Sequence, residues 1–568
     1  MAILNKRIQE QADAIDNHII DALKSGNSFI VEAGAGSGKT YSLLKVIDWL
    51  EQNKCQEFRR KKKNIACITY TNAAVNVILE RLSADSSIVP STIHSFAWDS
   101  INQFQQTIKN YVEELGLLPE GVTINQVSNV AYMLGSRYID NGTLYLYHDD
   151  VIKLFAKFLD NIKFRRLLSL RYPIVLIDEY QDSFKILTDK FIEHFVEGSK
   201  TIQFGFFGDS WQTIYTSNGA CGKIDSNQLI EIQKKLNFHS NVAVVNALNA
   251  IRPDFQQEAV DQQDDGQVFV ITTQDYQGNR QGGYYKSELA QNDLVCYVDN
   301  VKKQLERDWN GKVKTLMITH KMLANQQHYD NVLTLLGDSL KEEKNEYLKF
   351  FQNIIEPLYK ALCDNNINDL CDALKTHRML IERKKQKKSW HKLYEALKEA
   401  REKTIRDVIN VCIENAQIIP IPSIIVENYK AHLSNPDYIY NKVSLSELYN
   451  ISYSEIVNAI AFFSPQSDYS TEHGVKGEEY ENVLFIIGRG WNNYKFDEQV
   501  YLDPTNLSGK EYDVYIRNRN LFYVCCSRSI KRLAIFVTVP INDEFESYLE
   551  KIVGKDSIFT YNHFVKQD

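Results

Sequence analysis

Short continuous apolar runs alternate along this chain with longer stretches whose apolar residues recur three and four positions apart. Eight runs stand out: 28–32 (SFIVE), 65–70 (IACITY), 173–177 (PIVLI), 202–207 (IQFGFF), 267–272 (QVFVIT), 315–319 (TLMIT), 483–487 (VLFII) and 533–538 (LAIFVT). They predict buried strands. A strand of a parallel sheet covered on both faces is apolar on both sides, so its sequence does not alternate. Helical spacing lies between most of them, and strands alternating with helices predict an α/β fold. About sixty residues separate the first four runs from the last four, so two α/β cores are expected.

Two stretches interrupt these cores. Residues 97–170 carry helical spacing with several turn signals. Residues 331–464 are strongly helical over 339–416, with alternating charges and no proline from 358 to 419. The expected organisation is a first core from 1–96 and 171–245, a mainly helical insertion at 97–170, a second core from 246–330 and 465–568, and a mainly helical insertion at 331–464. No internal repeat is evident.

Composition narrows the class. At roughly 100–200 residues per domain, 568 residues suit about three or four domains or subdomains. The net charge of −8 argues against a passive nucleic-acid coat, which needs a strong positive field, but allows a local basic groove. The basic runs RRKKK (59–63) and RKKQKK (383–388) read first as solvated faces. Nine cysteines without a C-x-x-C pair fit a reduced cytoplasmic protein without a zinc site. The N-terminus is too charged for a signal peptide, and no apolar run reaches the ~18 residues of a membrane span.

The chemistry begins at AGAGSGKT, 33–40, between a strand and a helical pattern. Backbone N–H groups of such a loop wrap phosphates, and the helix N-terminus adds a favourable dipole. Ala33, Gly34, Ala35, Gly36, Ser37 and Gly38 form the loop, with Ala33 where a glycine is usual. Lys39 would reach the β- and γ-phosphates of ATP, and Thr40 would hold Mg²⁺. A second strand runs into LIDEYQDS, 176–183. Asp178 is placed to help hold Mg²⁺, and Glu179 to orient or deprotonate the attacking water. A third strand ends in FFGDSWQTIY, 206–215. There Gln212 would sense the γ-phosphate or position water, and Tyr215 would stack on a base.

Together these segments resemble the UvrD/Rep/PcrA group of superfamily 1 helicases, in family order along nearly the whole chain. TYTNAAVNVILER (69–81), STIHSF (91–96), LIDEYQD, GDSWQTIY, LNFHSN (236–241), TEHGVKGEEYENVLFI (471–486) and RNLFYVCCSR (519–528) are similar to that group's motifs Ia, Ib, II, III, IV, V and VI. The resemblance implies two RecA-like P-loop NTPase cores with ATP in the cleft between them. It implies that Gln11 reads adenine, although its spacing from the loop is longer than usual. Phe238 would stack on the adenine, Glu479 would approach the ribose or phosphate end, and Arg528 would act as an arginine finger. Single-stranded DNA would be met by Tyr70, Thr71, Asn72, His94, Tyr215, Thr471 and His473. Each histidine by itself reads as an ordinary structural histidine; inside these motifs that reading reverses. The implied activity is ATP-driven 3′–5′ translocation on single-stranded DNA and at single-strand/duplex junctions.

The departures matter. His239 stands where motif IV has an arginine, Ser217 and Asn218 where motif III has tryptophan and arginine, and Ala73 where motif Ia has a lysine. They imply slower hydrolysis, a weaker grip on DNA, or reliance on a partner. Only forty residues follow Arg528, too few for an attached nuclease domain. In size and style the chain is similar to helicase subunits of phage-defence systems such as Gabija, which implies a separate nuclease subunit. The alternative is a regulatory ATPase that senses DNA or nucleotide and gates such a nuclease.

Overall fold

The computed structural model describes residues 6–132, 137–214, 219–262, 266–283, 286–317, 324, 327–337, 340, 345–364, 366–374, 384–441, 443–464, 467–471, 476–489 and 495–565. In chain order the strands begin with β1 (Phe29–Ala33), β2 (Ile65–Thr69) and β3 (Ile88–Thr92). β4 (Asn129–Tyr132), β5 (Tyr138–Asp140) and β6 (Thr143–Leu146) form a separate small sheet. β7 (Ile174–Asp178), β8 (Gln203–Gly208) and β9 (Ile230–Lys234) return to the first, whose order is β3-β2-β7-β8-β1-β9. Every neighbouring pair in it is parallel.

β10 (Leu236–Asn241) and β11 (Glu258–Asp261) pair with each other alone. The second six-stranded sheet takes β12 (Gln267–Thr272), β13 (Lys314–Met317), β16 (Tyr469–Thr471), β17 (Tyr480–Ile487), β18 (Ser529–Val537) and β19 (Ile558–Thr560), in the order β16-β13-β17-β18-β12-β19. It too is wholly parallel. Between β13 and β16, β14 (Ile439–Tyr440) and β15 (Val443–Ser444) make a short hairpin. The expected α/β class with two parallel cores is what the fold shows.

All eight apolar runs became strands, and they are the four inner strands of each sheet (residues 318 and 319 of one run lie outside the described residues). The alternation of side chains sends Phe29 and Val31 into one core, with Leu43, Ile47 and Leu176, and Ile30 into another, with Ile68, Ile177 and Phe206. Both faces of the sheet are therefore apolar, at ~1.5–3 kcal/mol for each large side chain buried. The second sheet repeats this: Phe269 and Ile271 face one core, Val270 the other.

The segment 97–170 is less purely helical than its spacing predicts. It holds the helices Gln105–Glu114, His148–Leu159 and Ile162–Arg171, but also β4, β5 and β6. β5 and β6 are joined through Asn141 and Gly142, both at positive φ. An Asn-Gly pair is a strong two-residue hairpin signal, because both central residues of such a turn need positive φ. Among the described residues, 331–464 is mainly helical, with the β14–β15 hairpin and an isolated bridge between Thr404 and Ser452. No described helix is long and apolar enough to cross a membrane.

Candidate nucleotide cleft between the two sheets

Parallel strands bring their C-terminal ends to one edge, and ligands of open α/β sheets bind there. β1 delivers the glycine-rich loop, with Gly36 and Gly38 at positive φ. Gly38 then caps the helix Lys39–Asn53. β7, two strands away, delivers Asp178 and Glu179 to the same edge. Lys39 Nζ lies 3.4 Å from Glu179. Burial opposes the charge on Lys39, yet Glu179, Asp209 and Asp178 hold its ammonium above the ordinary lysine range. Burial also opposes the charge on Glu179, but Lys39, Lys476 and a hydrogen bond from Gln181 hold it below the usual carboxylate range. Asp178 moves the other way, pushed up by burial and by the charge of Glu179. Glu179 also adopts left-handed backbone, φ 49°, an arrangement that costs energy for a non-glycine and concentrates at functional sites.

This set fits Mg²⁺ and a nucleotide. Asp178 supplies a carboxylate, and Thr40, an exposed residue, carries a hydroxyl in the first helical turn. Mg²⁺ keeps waters and binds through one or two protein oxygens plus phosphates. Bound there, it would supply charge neutralisation at the phosphates. Gln11, on the helix Lys6–Ser25, has a buried Oε1 with no partner among the described residues, an acceptor suited to an exocyclic amine. The ring of Phe238 lies beside Gly38, about where a Cβ on that glycine would make van der Waals contact.

The far wall of the cleft is lined by Tyr523, Asn520 and Lys476 of the second core, with Asn237 and Gln257 beside the loop. The N–H of Ala35 faces the Tyr523 hydroxyl at 3.4 Å, and the carbonyl of Ala35 accepts from Asn237 and Gln257. Asn520 donates to the carbonyls of Ser210 and Thr213. Lys476 ion-pairs with buried Asp182 and donates to the Gln212 carbonyl at 2.7 Å. Burial pushes Asp182 up to about 6 despite Lys476. Sequence reasoning missed Lys476, Tyr523 and Asn520. The first lies in a motif-like segment, and the other two sit on the helix Gly509–Cys526, just ahead of Arg528.

The remaining expected residues are arranged as follows. The Gln212 side chain donates to Asp209 at 2.9 Å. Arg528 is buried and donates to the carbonyls of Val524 and Glu478, so its guanidinium is held on its own core. Glu479 does not stand alone: it pairs with Nδ1 of His239, and that bond, outweighing partial burial, raises the pKa of His239. Tyr70, Thr71 and Asn72 are exposed at the C-terminal end of β2, with Thr71 capping the helix Asn72–Leu79. His94 departs from expectation. It is buried and stacked on His148, ring centroids 3.3 Å apart, because the helix Ile93–Ile101 packs on the helix His148–Leu159. Burial and His148 push it down to about 3, so it is a neutral interior ring. Thr471 ends β16. Tyr215, Ser217, Asn218 and His473 lie outside the described residues.

Fold and loop define a P-loop nucleotide-binding protein with two parallel-sheet cores. Comparison with known proteins agrees. A family model described as an AAA domain matches residues 16–218. The chain is similar to the Gabija protein GajB of Bacillus cereus strain HuB5-5, 22% identical over 95% of this chain and 97% of that protein. It is also similar to the Gabija protein GajB of strain VD045, 27% identical over 35% of this chain and 40% of that one. These findings agree with the motif resemblance to the UvrD-like helicase and ATPase group and to Gabija-type subunits.

Proposed function

We propose that this protein is a Mg-ATP-driven motor on single-stranded DNA, translocating or unwinding with 3′–5′ polarity, and that it works in the cytoplasm beside a separate nuclease subunit in phage defence. The observation that carries this reading is the placement of Lys39, Asp178 and Glu179 on one core, in a cleft whose other wall, with Lys476 and Tyr523, belongs to the second core. Hydrolysis in such a cleft changes how the two cores close on each other, and closure is what moves a strand. Lys39 binds the phosphates, Thr40 and Asp178 hold Mg²⁺, Glu179 takes the water's proton, Gln212 orients that water, and Arg528 approaches when the cleft closes. Gln11 and Phe238 hold the base and Glu479 the sugar end. Tyr70, Thr71 and Asn72, with Tyr215, Thr471 and His473, line the strand's path, at junctions as well as on single strands.

A second reading keeps the ATPase but not robust unwinding: a DNA- or nucleotide-sensing subunit that gates the nuclease. The pairing of His239 with Glu479 favours it, since motif IV then spends its side chain on a carboxylate. The steady-state ATPase rate of the purified chain, with and without single-stranded DNA at low salt, read beside a strand-displacement assay on 3′- and 5′-tailed duplexes, separates the two. Low salt is needed because phosphate contacts weaken steeply as salt rises. Strong stimulation with directional unwinding supports the motor. DNA-dependent hydrolysis without unwinding supports the gate. No hydrolysis in either condition overturns the motor, and overturns the gate as well if ATP is not bound either.

A further inference from the structure

One buried cation beside the cleft has no place in the roles above. Arg252 follows the helix Val242–Ile251 and is almost fully buried. Its Nη2 donates to Glu32 at 2.9 Å and its Nη1 to Asp209 at 2.8 Å. Glu32 is the penultimate residue of β1, immediately before the phosphate loop, and Asp209 immediately follows β8. Neither is a solvated acid: their side chains are 11% and 0% exposed.

Both carboxylates have further duties. Glu32 accepts from the Tyr180 hydroxyl and from Ser210. Asp209 accepts from the Trp211 N–H and from the side chain of Gln212. The guanidinium lies 5.2 Å from the Trp211 ring and 5.8 Å from the ring of Tyr523, whose hydroxyl faces the Ala35 N–H. One side chain thus links the strand that ends in the phosphate loop, the turn that carries Gln212, and the helix that ends just before Arg528.

We infer that Arg252 is a positioning residue that fixes Gln212 and the phosphate loop relative to each other by bridging Asp209 and Glu32. Isolated buried carboxylates are unfavourable unless paired. A fork-shaped guanidinium serves two acceptors at once, whereas an ammonium is a point charge on a flexible stem. The Arg252 guanidinium is taken up by Glu32 within β1 and Asp209 just after β8. It acts through Asp209, whose Oδ2 sets the direction of the Gln212 amide. This rests on the ATPase reading of the cleft.

The test compares wild-type protein with Arg252→Lys, Arg252→Met and Glu32→Gln. Melting temperature, KM and kcat for ATP with single-stranded DNA, and hydrogen exchange of peptides covering 34–38 and 203–214 with Mg-AMPPNP are read in each. Arg252→Lys, which keeps the charge, is expected to melt near wild type while kcat falls at least tenfold and KM stays within about twofold. Arg252→Met is expected to raise exchange in both peptides together, with the helix Ile405–Glu414 unchanged. Glu32→Gln is expected to raise exchange at 34–38 more than at 203–214. Full kcat in Arg252→Lys, or unchanged exchange at 203–214 in Arg252→Met, overturns the inference. A wild-type protein that does not hydrolyse ATP overturns the ATPase reading instead, and the exchange data then still decide whether Arg252 couples the two segments.

Discussion

Lys476 of the second core donates to the backbone carbonyl of Gln212 in the first, at 2.7 Å, while pairing with the buried carboxylate of Asp182. One ammonium therefore reads two of the three strand ends that form the cleft. Its charge is also one of those that hold Glu179 ionised. Lys476→Ala removes a charged hydrogen bond worth about 1.5–3 kcal/mol, which is roughly ten- to hundredfold in rate if it acts only in the closed state. The expected outcome is a fall of that size in DNA-stimulated kcat with little change in ATP affinity, read by coupled ATPase assay and nucleotide titration. Equal loss of affinity would place Lys476 in ground-state binding.

Lys39 and Glu179 make opposite predictions about binding. Lys39→Ala removes the phosphate-reaching ammonium and leaves Glu179 without its nearest cation. Hydrolysis is expected to drop to background and ATP binding to weaken. Glu179→Gln keeps the shape and removes the base. Its kcat is expected to fall by roughly 10²–10⁴ with ATP still bound. Filter binding beside single-turnover hydrolysis checks both, and wild-type turnover in Lys39→Ala would sink the loop assignment.

The inner strands were legible and the edge strands were not, for one physical reason. β3, β9, β16 and β19 flank the two sheets. β3 carries Pro90, tolerable where one side of the strand lacks a partner. β9 reads IEIQK, its alternation reflecting a half-exposed position. β16 and β19 are three residues each. Within the cleft, the residues found from sequence are those whose chemistry is local: a loop, a strand end, a pair of acids. Arg252, Tyr523 and Lys476 act across long sequence separations; Lys476 and Tyr523 stand inside motif-like segments that do not say what they touch, and nothing near Arg252 in the chain marks it. His94 shows the converse. It stands in a motif-like segment, but helix packing buries it with Ile93 and Phe96 and turns its ring against His148.

The His239–Glu479 pair makes the cleft sensitive to pH. Its hydrogen bond raises the folded-state pKa of His239, partial burial opposing. A histidine whose pKa rises on folding stabilises the fold below its unfolded value, near 6.5, and loses that contribution as pH climbs through the folded value. The link between β10 and the segment before β17 should therefore loosen toward alkaline pH. Titrating the His239 ring by NMR is expected to give a midpoint above 6.5 that drops in Glu479→Gln. A midpoint unmoved by that substitution would rule the pairing out.

His239→Arg tests whether motif IV is short of a positive group. The arginine would keep the pairing with Glu479 and extend a fixed charge beyond it, where histidine titrates. Turnover is expected to rise several-fold, read as kcat at saturating ATP and DNA. An unchanged rate would mean that another cation already serves the γ-phosphate.

Gly208 offers a stability test that leaves every charged group in place. It ends β8 directly against β7's turn, and a Cβ there would sit 2.2 Å from Gln181 Oε1 and 2.4 Å from the Tyr180 ring. Neither neighbour can swing away freely. Gln181 Oε1 accepts the Asp209 N–H at 3.1 Å, and Tyr180 is wholly buried with its hydroxyl on Glu32. Gly208→Ala is therefore expected to cost about 1–3 kcal/mol, the usual range for overpacking, and to lower the melting temperature of the first core by several degrees. Because the displaced groups lead to Glu179 and Gln212, kcat should fall in the same variant at temperatures well below its melting point. A thermal scan with ATPase assays at two temperatures separates these effects. A variant that melts early yet turns over normally when folded would show that this contact serves stability alone.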